Sequence, residues 1–345
     1  MAEAAAQFQK GLDQLAPLPD TLERQRQQLE FSSALGAVLQ AVKGFAAPET
    51  GRAYDRAREL WERLGSPSEF LRIPFGQSRH HAFRGEFEIA HRLDEDLLRL
   101  SRQRNDSAGL VLGHISFGRN LYAAGTFASA RSHLEAGLAL YDPILHRSLV
   151  HHVGIGPGVS LHGFFGNVLF CLGFLDQALA QINVAIAEAR TLAHAPSLAA
   201  SLAFGTHFHL RLGDPSASGE LADEVIALAI ELGFPHWRAQ GTICRGWAKF
   251  KNGDVKEGMS LLRSGLGTYR ATGAEQWMSE YLPLMASACE ITGQVEEGLA
   301  FLDEALQIVK RTGERWFEAE LHRHKGQLLL WQGHSEAAEE LYRKA

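Results

Sequence analysis

Sixteen histidines and three cysteines are the residues with the widest chemical repertoire in this chain. The histidines cluster as His80-His81, His151-His152, His207-x-His209 and His322-x-His324. Zinc needs three or four converging ligands. Adjacent or alternate histidines on a helix point to different sides, and HExxH is absent, so no metal site is expected. Cys171, Cys244 and Cys289 stand far apart with no CxxC, which speaks against a disulfide framework and a cysteine zinc site. Gly-x-Ser-x-Gly is missing, and Ser, His and Asp are too plentiful for any triad to stand out. A glycine run, Gly154-Ile-Gly156-Pro-Gly158, precedes a helical stretch and could turn backbone amides toward an anion. No confident strand precedes it and no lysine follows, so a stiffened loop is the simpler reading. No catalytic residue and no cofactor are assigned.

Composition narrows the class. Hydrophobic residues make up 46% and charged residues 21% of 345 residues, with a net charge of −6. That supports a large folded core and offers no general pull on nucleic acid or an anionic membrane. No apolar run reaches the roughly 18 residues that a membrane helix needs. Residues 1–10 lack the long apolar stretch of a secretory signal. A cytoplasmic protein is expected.

The elements come from a repeat. Gly85, Gly125, Gly173, Gly213, Gly253, Gly293 and Gly333 recur every 40 residues, with one interval of 48. Seven residues before each glycine, and five after it, sits a small residue. The pairs are Ser78 with Ala90, Gly118 with Ala130, Gly166 with Ala178, Thr206 with Ser218, Gly246 with Gly258, Ala286 with Gly298, and Gly326 with Ala338. Four residues beyond lie mostly apolar positions (Leu134, Ile182, Leu262, Leu302 and Tyr342), with Asp94 as a misfit. Steps of four mark one face of an α-helix. Each unit reads as a helical hairpin that turns at the glycine, which takes the left-handed conformation cheaply. Asp254 with Glu257, and Asp214 before Pro215, are helix-start signals. Each small pair falls where the two helices of a hairpin cross.

The expected fold is an all-α solenoid over residues 1–345. It has an N-terminal segment (1–21), a degenerate repeat (22–64) and seven repeats (72–345), with an insertion around 142–158 and a truncated last repeat. The residue after each small position should project from the concave side: Arg79, Arg119, Asn167, His207, Trp247, Ser287 and Gln327. These are the candidate residues for a ligand or partner, with the two arginines suited to a carboxylate or phosphate. Trp237, Trp277 and Trp316 recur at nearly the repeat period and are expected to pack between neighbouring repeats.

The small–Gly–small pattern resembles the tetratricopeptide repeat, although the usual unit has 34 residues. The resemblance implies a right-handed superhelix with an extended concave surface. Longer strings are similar to one family: Leu18-Pro-Asp-Thr-Leu-Glu-Arg-Gln, Lys43-Gly-Phe-Ala-Ala-Pro-Glu, Tyr141-Asp-Pro-Ile-Leu-His-Arg, Leu172-Gly-Phe-Leu-Asp-Gln-Ala-Leu and Arg311-Thr-Gly-Glu-Arg-Trp-Phe-Glu-Ala-Glu-Leu. It is the C-terminal repeat region of bacterial class III adenylate/guanylate cyclase proteins that carry an AAA-type ATPase module. Related regions occur in large ATPase transcription regulators. Where that family usually reads Gly-x-Asp-Pro-Gly-Val, Gly156 replaces the acid. Walker A and the cyclase metal aspartates are absent. The resemblance thus implies a non-catalytic sensor or regulatory arm in signal transduction. Its partner would be a protein, a peptide or another domain of its own parent. The alternative is a small-molecule receptor, for a sugar or an anionic metabolite, in a transcription regulator. Self-association through an uncapped apolar C-terminal end is a further expectation.

Overall fold

The computed structural model describes residues 1–67 and 70–345. Among the described residues there are eighteen α-helices and no strand. Helix α1 (Ala2–Leu15) packs on α2 (Leu22–Val42), which pairs with α3 (Pro48–Arg63). Seven further hairpins follow: α4 (Arg72–Phe83) with α5 (Phe87–Arg104), α6 (Ser107–Ala123) with α7 (Phe127–Leu140), α9 (Pro157–Cys171) with α10 (Leu175–Leu192), α11 (Ala195–Leu212) with α12 (Pro215–Leu232), α13 (Pro235–Lys251) with α14 (Val255–Ala271), α15 (Met278–Ile291) with α16 (Val295–Thr312), and α17 (Glu318–Trp331) with α18 (Ser335–Lys344). The chain is an all-α, tetratricopeptide-like solenoid. The insertion folds into a 3₁₀ turn (Arg147–Leu149) and the short α8 (Val150–Val153).

All seven turn glycines have positive φ, between +73° and +92°. Asp254 accepts from the Glu257 amide and Asp214 from the Ala217 amide, so both cap their helices. The small residues are buried at the crossings. A Cβ on Gly246 would stand 2.7 Å from the Leu262 nitrogen and 3.0 Å from the Gly258 carbonyl. Gly166 and Gly326 likewise lie over the carbonyls of Ala178 and Ala338, and Ser218 Oγ donates to Thr206 O at 3.1 Å. The hairpins are therefore held backbone against backbone. First helices such as α9 and α11 are buried on nearly every side, whereas second helices such as α10 bury one stripe. The first helices form an inner layer and the second helices an outer one.

The superhelix closes on itself. The Phe83 carbonyl, at the end of α4, accepts from the amides of Glu275 (2.8 Å) and Gln276 (3.3 Å). One repeat on, the Ala123 carbonyl at the end of α6 accepts from Arg315 (2.8 Å) and Trp316 (3.2 Å). The same contact is thus made twice, forty residues apart on both sides. Gly85 meets Thr312 and Gly125 meets Arg315, while Gly173, Gly213, Gly253, Gly293 and Gly333 have nothing within 4 Å of a Cβ. Aromatic rings seal the seam. Trp277 and Trp316 lie 5.8 Å and 5.2 Å from Tyr122, and Trp237 lies 5.6 Å from Phe45. The resemblance implies an extended concave surface; here the cross-turn contacts bring its two sides together at Phe83 and Ala123. Five repeats complete a turn, and the first helices enclose an interior instead of lining a groove. The three tryptophans reach across that turn as well as between neighbours.

Glu314 ties two of the seam loops together. Its carboxyl accepts from the Trp277 amide at 2.9 Å and from Ser279 Oγ at 3.2 Å. Burial pushes its pKa up to about 8, against the pull of those hydrogen bonds. The folded chain therefore keeps a proton that the unfolded chain releases near pH 4.3. Stability should fall as pH rises from about 4.5 to about 8. Glu314→Gln should escape this loss, so its melting-temperature advantage over the wild type should grow across that interval and then level off. A pH-independent difference would contradict the assignment.

Two glycine substitutions should have opposite signs in thermal melts. Gly246→Ala drives a methyl into backbone and should cost about 1–3 kcal/mol. Gly267, within α14, has open space around it. Gly267→Ala should gain roughly 0.5–1 kcal/mol from helix propensity alone.

Candidate ligand site in the superhelix interior

The residue directly after each crossing residue is the candidate for the inner face. Closure makes four of these converge. Arg79 on α4, Arg119 on α6, Asn167 on α9 and His207 on α11 line a single cavity. Rings from Phe45, Phe83, Phe164, Phe204, His236, Trp237 and Trp277 complete much of its wall, with Gln240 beside them. The cavity is small, with room for a few waters. Three other sequence candidates lie elsewhere. Trp247 is buried in the core. Ser287 is half-buried. Gln327 is half-buried and donates to Glu290 at 2.9 Å.

The two arginines differ in their partners. Arg79 Nη1 donates to the Val153 carbonyl at 2.9 Å and to Gln40 Oε1 at 3.4 Å. Its guanidinium lies 4.5 Å over the Phe75 ring. No described carboxylate comes within ion-pair distance of it. Burial, with Arg119 adding repulsion, pulls its pKa down to about 9, so it stays charged at neutral pH. Arg119 is 1% exposed. It donates to Ser78 Oγ and Ser116 Oγ, both at 3.1 Å, and to Asn120 Oδ1 at 3.2 Å. Its Nη1 is buried without a partner. Asp94, the misfit in the repeat pattern, explains part of this cluster. It is fully buried and accepts from Ser116 Oγ and Asn120 Nδ2. Burial raises its pKa to about 6 although Arg119 opposes the rise. Asp94 thus stands behind the wall and partly balances Arg119.

A second polar layer supports the cavity from the C-terminal side. Arg211 on α11 makes a two-pronged ion pair with Glu280 on α15 at 2.6 and 3.0 Å, and donates to Asn167 Oδ1 at 2.9 Å. Its guanidinium lies 4.6 Å from the Trp316 ring centre. Tyr281 Oη lies 2.9 Å from His207 Nε2 and accepts from Gln240 Nε2 at 2.8 Å. Burial holds His207 down at about 4 and His236 at about 3, so both rings are neutral. His236 is fully buried and neither ring nitrogen has a partner. Trp237 Nε1 and Gln240 Oε1 are likewise buried and unpaired.

What the interior offers is two cations, unpaired polar atoms and ring faces, a set suited to holding a ligand. Burial raises the Cys244 thiol pKa, and raises that of Cys289 to about 11, which keeps both protonated. Among the described residues no three metal-ligating side chains come together. The glycine run at 154–158 is satisfied internally. The Gly156 amide donates to Ser197 Oγ at 2.8 Å, and the Glu188 carboxylate fills the space beside Gly158. No single helix among the described residues is long and apolar enough to cross a membrane. Sequence reasoning missed Phe45, Phe83, His236 and Gln240. The recurring tryptophans were the visible signal of this seam-side wall.

No family profile matches the chain. An uncharacterised protein of Rhizobium meliloti (strain 1021) is 24% identical over 327 residues, 94% of this chain. The chain spans 31% of that relative's length. Among solved structures, a Rap protein complexed with competence and sporulation factor matches with a TM-score of 0.66 and 14% identity, over 99% of this chain and 95% of that one. The Rap conjugation gene regulator of plasmid pLS20, in complex with the Phr* peptide, gives 0.57 and 13%, over 99% and 92%. Cut9–Hcn1 of the APC/C gives 0.65 and 13%, over 98% of this chain and 57% of that one. These likenesses show the fold.

Proposed function

We propose that this solenoid is a non-catalytic receptor module that takes a ligand into its closed interior and reports occupancy to the rest of a longer signalling protein. The observation that carries this reading is the cavity walled by Arg79, Arg119 and His236, whose lining residues include buried polar atoms left unpaired. Unpaired buried polar groups are costly, and a ligand that meets them would add stability. The pLS20 regulator, a fold neighbour, was solved with a peptide. The contacts at Phe83 and Ala123 hold neighbouring turns together, and entry of a ligand larger than a few waters would require the seam to part. Binding would therefore shift the balance between an open and a closed superhelix, and only a ligand favouring one state can do so. The much longer Rhizobium relative supports a place beside other modules, and the sequence strings favour a nucleotide cyclase–ATPase protein as that parent.

A protein-docking role on the outside has its own observation. Ile144 and Leu145, at the tip of the insertion, are 87% and 68% exposed. Apolar side chains that protrude together suit contact with a neighbouring module.

A lock across the seam tests the receptor reading. A Cβ on Gly125 would lie 3.7 Å from the Arg315 Cβ, within disulfide range. The pair Gly125→Cys/Arg315→Cys should oxidise to an intramolecular bond. In native mass spectrometry against a mixture of metabolites and short peptides, the reduced variant and the wild type should retain a compound. The oxidised form should retain none until a reductant is added. With the bond confirmed by intact mass, retention that ignores the lock would overturn interior gating.

A further inference from the structure

The chemical class of the interior ligand can be read from its wall, and this step rests on the receptor reading. We propose that the site takes a carboxylate borne on an aromatic or branched apolar body, with Arg79 and Arg119 holding the carboxylate and the rings around His236 and Trp237 holding the body.

The charge argument comes first. Arg79 and Arg119 are the charged residues lining the cavity, and no acid lines it. The acid that partly balances Arg119 lies behind the wall, and Arg79 has only neutral partners. A buried cation without a counter-ion is strongly unfavourable. Arg119 Nη1 is already directed at nothing. A planar carboxylate matches the guanidinium fork better than a point charge would. A phosphoryl group would also suit the guanidinium forks, but its further oxygens would be left against a wall that is mostly ring and methyl surface. A sugar would need many polar partners, whereas most of the wall is ring and methyl surface.

The body argument is independent. Phe45 and Phe83 stack at 4.4 Å, and both present edges to the His236 ring at about 5 Å. Trp237 stands edge-on to the same ring. The cavity as it stands holds only a few waters, so a flat or branched apolar group would take its place among these rings as the seam parts and they separate. The unpaired Trp237 Nε1 and Gln240 Oε1 leave one donor and one acceptor for a polar group on that body.

Two sources carry this chemistry, a free aromatic acid and the C-terminal residue of a short peptide. The probes are indole-3-acetate, N-acetylphenylalanine and acetyl-Ala-Leu-Phe, each beside its neutral amide, read by thermal shift and calorimetry on the full chain. At least one acid should raise the melting temperature and bind at least about tenfold tighter than its amide, and which acid does so names the source. Arg79→Gln and Arg119→Gln should each weaken it by about tenfold or more. Because either arginine variant could unfold, Ala203→Phe provides a second arm. It fills the cavity, keeps both cations and should abolish binding. Amides that bind as well as acids would overturn the charge assignment while leaving the interior receptor intact. Acids that bind Ala203→Phe unchanged would place the site elsewhere. No shift from any acid at millimolar concentration would overturn the ligand class, and the seam lock would still judge the receptor reading separately.

Discussion

Two backbone carbonyls decide the shape of this molecule. An α-helix ends with carbonyls that have no partner inside it, and in most solenoid turns they face water. Here the last carbonyls of α4 and α6 each take two amides from a loop five repeats away. That satisfies groups the local structure leaves open, and it sets one superhelical turn against the next. The aromatic seam, the tied loops at Trp277 and Glu314, and the enclosed interior all follow from it.

Enclosure changes what the inner residues can be. A solvated concave face tolerates polar residues in any arrangement, but an interior demands partners for them. The Arg211–Glu280 pair, with Asn167 and the Trp316 ring, meets that demand in full. The Asp94 cluster meets it for three of its polar neighbours. Around His236 and the free edge of Arg119 the demand is unmet, and Arg79 has hydrogen-bond partners but no counter-ion. The contrast falls within one layer of helices, so it reflects the residues and not the architecture.

The hairpins were legible because their rule is local. A glycine turn and two small residues twelve apart describe a crossing that the Gly246–Gly258 contact realises in backbone atoms. Closure was not legible, because it depends on a small rotation per repeat summed over five repeats. No short string encodes that sum. Asp94 was visible as an exception, but its meaning required Arg119, Ser78 and Asn120 to be brought beside it from three other positions. The tryptophans were visible as a period, yet a period cannot distinguish the neighbour above from the turn across the axis. Four of the seven inner-face positions named from the repeat register share the cavity, and the other three lie further along the helix stack, outside it.

Repeat proteins ordinarily unravel piecemeal, since each unit touches only its neighbours and stability is close to a sum of nearest-neighbour terms. The bonds from Phe83 and Ala123 add long-range entries to that sum. Loosening α15 to α18 strips the caps from α4 and α6 and uncovers Tyr122 in the N-terminal half of the chain. Damage at one terminus is thereby felt at the other, and denaturation should be a single concerted event where an open stack of the same hairpins would melt in stages.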